Sequence, residues 1–301
     1  MTASDGDPSS TISPSRDSVH RAGVIGRRLG TGLIALLAVG LGAFGTTAPP
    51  HWLLARIERL WPGCLFHLRA RDRVVALTID DGPDPVTTPR ILDLLRRHGA
   101  RATFFLISGR ISPGTAPVVR RLVAEGHEVG NHLTRDEPGI RLGPVGFERE
   151  LRRADAVLSH FAPVRWVRPG SGWYSRPMIA AIRRRGGRCA LGSVYPFDAQ
   201  VPSPRFAARY VVGNVRPGSI VILHDGGERG ERTVRALGSI LPALQRRGYR
   251  VLTLSEAAGL VSERAARAAS GRTRSPVPLC GGVTTQPASR RRDGFPWPEV
   301  P

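Results

Sequence analysis

Hydrophobic and polar positions follow two rhythms along this chain. After Arg73, short apolar runs recur at strand-like spacing: VVALTI (74–79), ATFFLI (102–107), HEVGN (127–131), RWVRP (165–169), CALGSV (189–194), SIVILH (219–224) and RVLTL (250–254). Between them lie ILDLLRRHG, VVRRLVAEG, the segment from Phe147 to Phe161, MIAAIRRRG and LPALQRRG, with apolar residues at helical spacing. Several of these end in Arg-Arg-Gly or similar. Cations there oppose the helix dipole, and glycine supplies a left-handed cap. Alternation repeated about seven times predicts parallel strands with helices outside. The expected fold is α/β, a distorted parallel (β/α) barrel with about seven strands, preceded by one membrane-spanning or signal segment. An open doubly wound sheet has the same alternation, but no Gly-rich phosphate loop is present to favour it.

The flanking regions read differently. Residues 1–28 are rich in Ser, Asp, Thr and Arg without periodicity, and are expected to be disordered and cytoplasmic. Residues 29–48, LGTGLIALLAVGLGAFGTTA, carry no charge and have the about 20-residue length of a membrane crossing. Their tighter core, Leu33 to Phe44, also suits the apolar region of a secretory signal. Arg16, Arg21, Arg27 and Arg28 precede the stretch and should hold the N-terminus inside. Anchor or cleaved signal, either puts the remaining chain outside: at the cytoplasmic membrane through residues 29–48, or secreted. Residues 49–72 read as a linker, with Trp52, Leu53, Ile57, Leu60 and Trp61 at helical spacing. The expected domain spans 73–260, and residues 261–301 read as a helix end followed by a disordered basic tail.

Charge changes this picture little. The chain has 44 Lys+Arg against 24 Asp+Glu, a net charge of +20, and no lysine at all. A solvated basic surface accounts for this, and an anionic partner is the sharper alternative. No nucleic-acid module accompanies the charge, so no nucleic-acid partner is expected, and no protein partner is predicted. Cys64, Cys189 and Cys280 show neither metal spacing nor a disulfide framework. At most one bridge can form, and Cys189, in an apolar run, is expected to be a buried free thiol.

Candidate chemistry collects at the C-terminal ends of the runs, where parallel α/β barrels build their sites. Asp80-Asp81-Gly82-Pro83 ends the first, and Asn131-His132 the third, with Asp136 four residues on. The fourth carries Arg168-Pro169, Asp198 follows the fifth, and His224-Asp225 ends the sixth. Each alone has a plainer reading: Asp-Gly-Pro as turn chemistry, Asp136 or Asp225 as a helix cap, His132 as a structural histidine.

The ordered set resembles the polysaccharide deacetylases, carbohydrate esterase family four, whose domain is shared with the rhizobial chitooligosaccharide deacetylases. LTIDDGPDP, HEVGNHLTRD, WVRPGSGWY and SIVILHD are similar to that family's first, second, third and fifth motifs, and GYRVLTLSE to its last strand and helix. The resemblance covers residues 73–260. It implies a deacetylase acting on an acetylated glycan, with Asp80 as general base, His224 as general acid, Arg168 holding Asp80, and Asp198 keeping His224 charged. It implies one divalent metal ion, zinc, manganese or similar, on Asp81 and His132. Asp136 stands where the family has its second histidine and completes the expected ligand set; at four-residue spacing in a helical turn it shares a face with His132. Ser171, Trp173, Tyr174 and Ile222 are the expected substrate-side residues, Ser171 through nearby backbone N–H groups and the aromatics as a sugar platform. The third motif departs from the family at Gly170-Ser171-Gly172, the fourth at Ala199, and Ile222 replaces a leucine. A catalytically inert glycan-binding module on the same fold is the alternative. Against it stand Asp80, Arg168 and His224, because a binder needs no base, arginine and acid.

Overall fold

All seven expected runs form strands, each inside the alternation that announced it. The computed structural model describes residues 48–60 and 62–269. The order is α1 (His51–Leu60), β1 (Cys64–Leu65), β2 (Val74–Asp80), α2 (Thr87–Arg97), β3 (Thr103–Leu106), α3 (Ala116–Ala124), β4 (Glu128–Asn131), α4 (Gly143–Leu158), β5 (Trp166–Val167), α5 (Arg176–Arg184), β6 (Arg188–Ala190), α6 (Pro204–Asn214), β7 (Ile220–His224), α7 (Gly227–Arg246), β8 (Arg250–Leu252) and α8 (Leu254–Ala269). Contacts divide the chain after Ser262. The first unit holds the sheet and its helices; among the described residues the second holds only the end of α8.

The sheet runs β1-β6-β5-β4-β3-β2-β7, with β8 also on β2, and every pair is parallel. It curls far enough that Val194, after β6, bridges Val221 of β7. Buried β2 shows how the period sorts its neighbours. Val75, Leu77 and Ile79 face a large apolar cluster shared with Leu92, Leu95, Leu237 and Leu241 of α2 and α7. Ala76, Thr78 and Asp80 therefore point to the sheet's other face, which directs Asp80 inward. The Arg-Arg-Gly endings act as caps: Gly186 and Gly248 take φ of 77° and 73°.

Two features lay outside the sequence pattern. The stretch 49–72, expected as a linker, supplies α1 and β1, and β1 pairs with β6. Leu54 of α1 is buried while Trp52 and Leu60 stay exposed. Helix α6 is the other, opened by Ser203, whose side chain accepts from the Phe206 N–H. No helix among the described residues is long and apolar enough to cross a membrane. The expected segment 29–48, apart from Ala48, lies outside the described residues, as do residues 1–28, the basic tail from 270 and Cys280.

Cys189 is buried as expected, but it is not isolated. Cys64 is its register partner on the adjacent parallel strand, and the two buried Sγ atoms face one another. Burial, then the mutual contact, pushes the Cys64 thiol well up. Exposed to an oxidising disulfide such as oxidised glutathione, the pair should exchange to one intrachain bond, passing two electrons and two protons to the glutathione. Closing so long a loop should stabilise the chain by about 2–4 kcal/mol. Thiol titration in denaturant, before and after oxidation, should show two thiols lost together; loss of neither would refute the pairing.

Candidate active site

The register of β2 and β7 sets Asp80 and His224 opposite one another as Cα partners at their strands' C-terminal ends. On the other side of β2, Asp80 is level with Phe105 of β3, and β4 ends at Asn131, level with Leu106. His132 follows Asn131 directly, and Arg168 follows β5, its N–H donating to the Asn131 carbonyl at 3.0 Å. Parallel pairing thus gathers residues far apart in sequence onto one rim.

Arg168 is buried and every contact of its guanidinium is directed. Nη1 donates to Asp80 Oδ1 at 2.6 Å and Thr78 Oγ1 at 2.7 Å. Nε donates to the Ala190 carbonyl at 3.0 Å and Nη2 to that of Leu191 at 2.9 Å. The guanidinium lies 4.1 Å over the Phe105 ring. That ring needs Gly130 beside it, because a Cβ there would stand 2.6 Å from Cδ1 of Phe105. Asp80 is thereby fixed in one orientation by a rigid donor fork.

His224 is oriented from the other side. Its Nδ1–H donates to Asp198 Oδ1 at 3.0 Å, and its backbone N–H to Oδ2 at 2.8 Å. Thr233 Oγ1 donates to the His224 carbonyl at 2.6 Å, and Arg232 Nε to that of Asp198 at 3.1 Å. Burial disfavours the imidazolium, but the Asp198 hydrogen bond and the charges of Asp198, Asp80 and Asp81 outweigh it, so the pKa is raised. With Nδ1 committed to Asp198, Nε2 is the nitrogen left for chemistry.

Asp81 and His132 form a second pair, both buried, with His132 Nε2 at 3.4 Å from Asp81 Oδ1. His132 Nδ1 faces the Arg168 carbonyl at 2.6 Å and must donate to it, which turns Nε2 toward Asp81. A backbone carbonyl fixing one ring nitrogen while the other faces a carboxylate is the environment of a metal-ligating histidine. Asp81 has φ of 72°. Burial alone would raise its pKa; the His132 hydrogen bond and the charges of His132, His224 and Arg229 hold it at about 2. Asp81 and His132 therefore fit a divalent cation, two donors of the expected three.

Asp136 does not join them. It is exposed, and its Oδ2 accepts from Arg229 Nη2 at 2.8 Å, with Arg110 Nη2 at 3.6 Å. The same Arg229 donates through Nη1 to Asp81 Oδ2 at 2.7 Å. Among the described residues no three His, Cys, Asp or Glu side chains are gathered to hold a metal ion. One guanidinium spans the two carboxylates instead.

The expected substrate-side residues differ in their settings. Ser171 is exposed at φ 60° in a short 3-10 turn, Gly170–Gly172. Trp173 is half-buried; Tyr174 packs against the cluster of Leu133, Met178 and Cys189. Half-buried Ile222 lies level with Thr78 on the inner face.

The sequence matches the Polysaccharide deacetylase family over residues 67–190. It is 35% identical to a peptidoglycan-N-acetylglucosamine deacetylase of Bacillus cereus over 193 residues, 62% of this chain and 88% of the relative. It is 36% identical to a chitooligosaccharide deacetylase of a Bradyrhizobium strain over 198 residues, 61% of this chain and 90% of the relative. The chain belongs to the polysaccharide deacetylase family. A solved family 4 acetyl xylan esterase of Clostridium thermocellum, in complex with a cobalt ion, is 32% identical, with a TM-score of 0.58 over 62% of this chain and 91% of that one.

The rim also includes residues that sequence patterns did not single out. Thr78 accepts from Arg168 and donates to the Val221 carbonyl at 2.7 Å. Its position, two before Asp80 on an inward face, was a usable signal. Tyr195 stands edge-on to His224 at 5.7 Å between ring centroids and walls that side of the rim. Arg110 and Arg229 carried no signal, being two arginines in a chain where every Lys+Arg position is arginine.

Proposed function

We propose that the chain is a metal-dependent hydrolase that removes acetyl groups from an N- or O-acetylated glycan outside the cytoplasmic membrane. The observation that carries this reading is the pairing of Asp80 and His224 at adjacent strand ends, each held by a separate buried partner, Arg168 and Asp198. Asp80, anchored by one oxygen, takes a proton from the attacking water through the other. The water oxygen bonds to the acetyl carbon. His224 gives its Nε2 proton to the leaving nitrogen or oxygen as that bond breaks, so acetate and the free amine or alcohol depart. Asp81 and His132 would hold the divalent ion, which supplies Lewis acidity toward the acetyl carbonyl. Half-buried Trp173 at the rim offers a face on which a sugar ring can stack.

The relatives' named substrates, peptidoglycan N-acetylglucosamine and chitooligosaccharide, define the first panel for assay. Full-length chain with added divalent metal should release acetate from at least one of acetylated peptidoglycan, chitooligosaccharides or acetyl xylan. Release from none, with metal bound, would leave an inert glycan-binding module. Residues 29–48 are proposed to place the domain outside, as an anchor or as a cleaved signal. A reporter fused after Glu256 that works only after export should be active; activity of a cytoplasm-only reporter there would reverse the topology.

A further inference from the structure

We propose that Arg229 is a built-in cationic occupant of the metal site: it bridges Asp81 and Asp136 and must leave before a divalent ion can take all three side chains as ligands. The inference rests on the metal-dependent reading above and concerns the control of that site.

The geometry is specific. One guanidinium donates to Asp81 Oδ2 at 2.7 Å through Nη1 and to Asp136 Oδ2 at 2.8 Å through Nη2. Asp81 Oδ2 is the oxygen not turned to His132, whose Nε2 lies at 3.4 Å from Oδ1. Arg229 thus sits between the candidate ligands, with its charge facing both carboxylates. Arg110 reinforces it from the same side: Nη2 lies 3.6 Å from Asp136 Oδ2, and Nη1 donates to the backbone carbonyl of Asp81. A divalent ion entering beside two guanidiniums meets like charge at short range, where Coulomb terms are large. Asp136 cannot serve the ion while both of its cationic neighbours hold it.

Arg229 also has a route out. It is only part-buried, in the first turn of α7, and it lines a cleft of about 500 Å³ together with Asp84, Thr115 and Gly227. The Asp84 carboxylate there already accepts from the Val86, Thr87 and Gly227 N–H groups. Exchange of a monocation for a dication needs a swing of the Arg229 side chain into this cleft. In this scheme the chain's metal affinity is set by Arg229 as much as by the ligands.

The test uses the full chain, stripped with chelator and titrated with Co²⁺, whose absorbance reports the coordination shell. Arg229→Gln should bind Co²⁺ at least about tenfold more tightly than the wild type. Arg229→Lys, which keeps the charge but cannot fork across both carboxylates, should fall between them. Asp136→Asn should change affinity little in the wild-type background, where it removes a ligand and a partner of Arg229 together, and weaken it about tenfold or more in Arg229→Gln, where only the ligand is lost. Circular dichroism on each variant establishes that it is folded, and Arg229→Lys carries the comparison if Arg229→Gln is not. Equal or weaker Co²⁺ binding in the Arg229 variants, or an Asp136→Asn effect equal in both backgrounds, overturns the inference while leaving the metal-dependent reading intact. Co²⁺ binding by no variant and not by the wild type overturns both.

Discussion

His224→Ala should lower kcat for acetate release by about a hundredfold or more, with KM and bound metal little changed. The side chain does not hold the fold together: its ring is only part-buried, and its backbone N–H donates to Asp198 and its carbonyl accepts from Thr233 regardless of the imidazole. What disappears is the proton donor at Nε2. Asp80→Asn should have a loss of similar size, since an amide keeps the Arg168 contact but cannot accept the water's proton. Asp198 acts through His224, and its test is therefore a pH profile. The raised pKa of His224 keeps the imidazolium to higher pH, so the alkaline limb of activity marks its deprotonation. Asp198→Asn removes the group that raises that pKa, and the limb should move to lower pH. Near-wild-type kcat in His224→Ala, measured by acetate release with metal bound, would remove His224 from the mechanism.

How far the site was legible depends on which physics placed each residue. Asp80, His132, Arg168 and His224 end apolar runs or follow them closely, so strand period and the barrel rule were enough to put them on one rim. Asp198 lies beyond a strand end; in the sequence only family resemblance links it to His224, and in the fold a 3.0 Å contact joins them. Arg229 was illegible because its role depends on a meeting of the first turn of α7 with the loop after β4, and nothing local in Glu228-Arg229-Gly230 encodes it. The Asp136 spacing predicts a helical turn, yet residues 132–138 are not helical, and the 3-10 turn Gly139–Leu142 begins only after them. Without the helix, four-residue spacing no longer sets the two side chains on one face. In the fold, β1 escaped because two residues carry no period; what makes it a strand is the pairing of Cys64 and Leu65 with Cys189 and Ala190 far along the chain.

Arg168→Met should be the most destabilising single change in the site. It leaves Asp80 as a buried charge without its partner, and it strips donors from the Ala190 and Leu191 carbonyls and the Thr78 hydroxyl at once. Breaking one side of a buried ion pair costs about 3–5 kcal/mol. In a domain of this size, with a melting shift of about 2–4 °C per kcal/mol, Tm should fall by roughly 10 °C. Arg168→Lys separates charge from geometry. The ammonium restores a positive charge beside Asp80 but cannot reach the Ala190 and Leu191 carbonyls and a carboxylate in the fork that the guanidinium spans. It should recover part of the stability and little of the turnover, because Asp80 loses its fixed orientation. The double variant Asp80→Asn, Arg168→Met removes the stranded charge and should melt higher than Arg168→Met alone, by about 1 kcal/mol or more, while staying inactive. If Arg168→Met melts within about 1 °C of the wild type, the buried pair contributes nothing to stability, and the argument that Arg168 holds Asp80 in place fails with it.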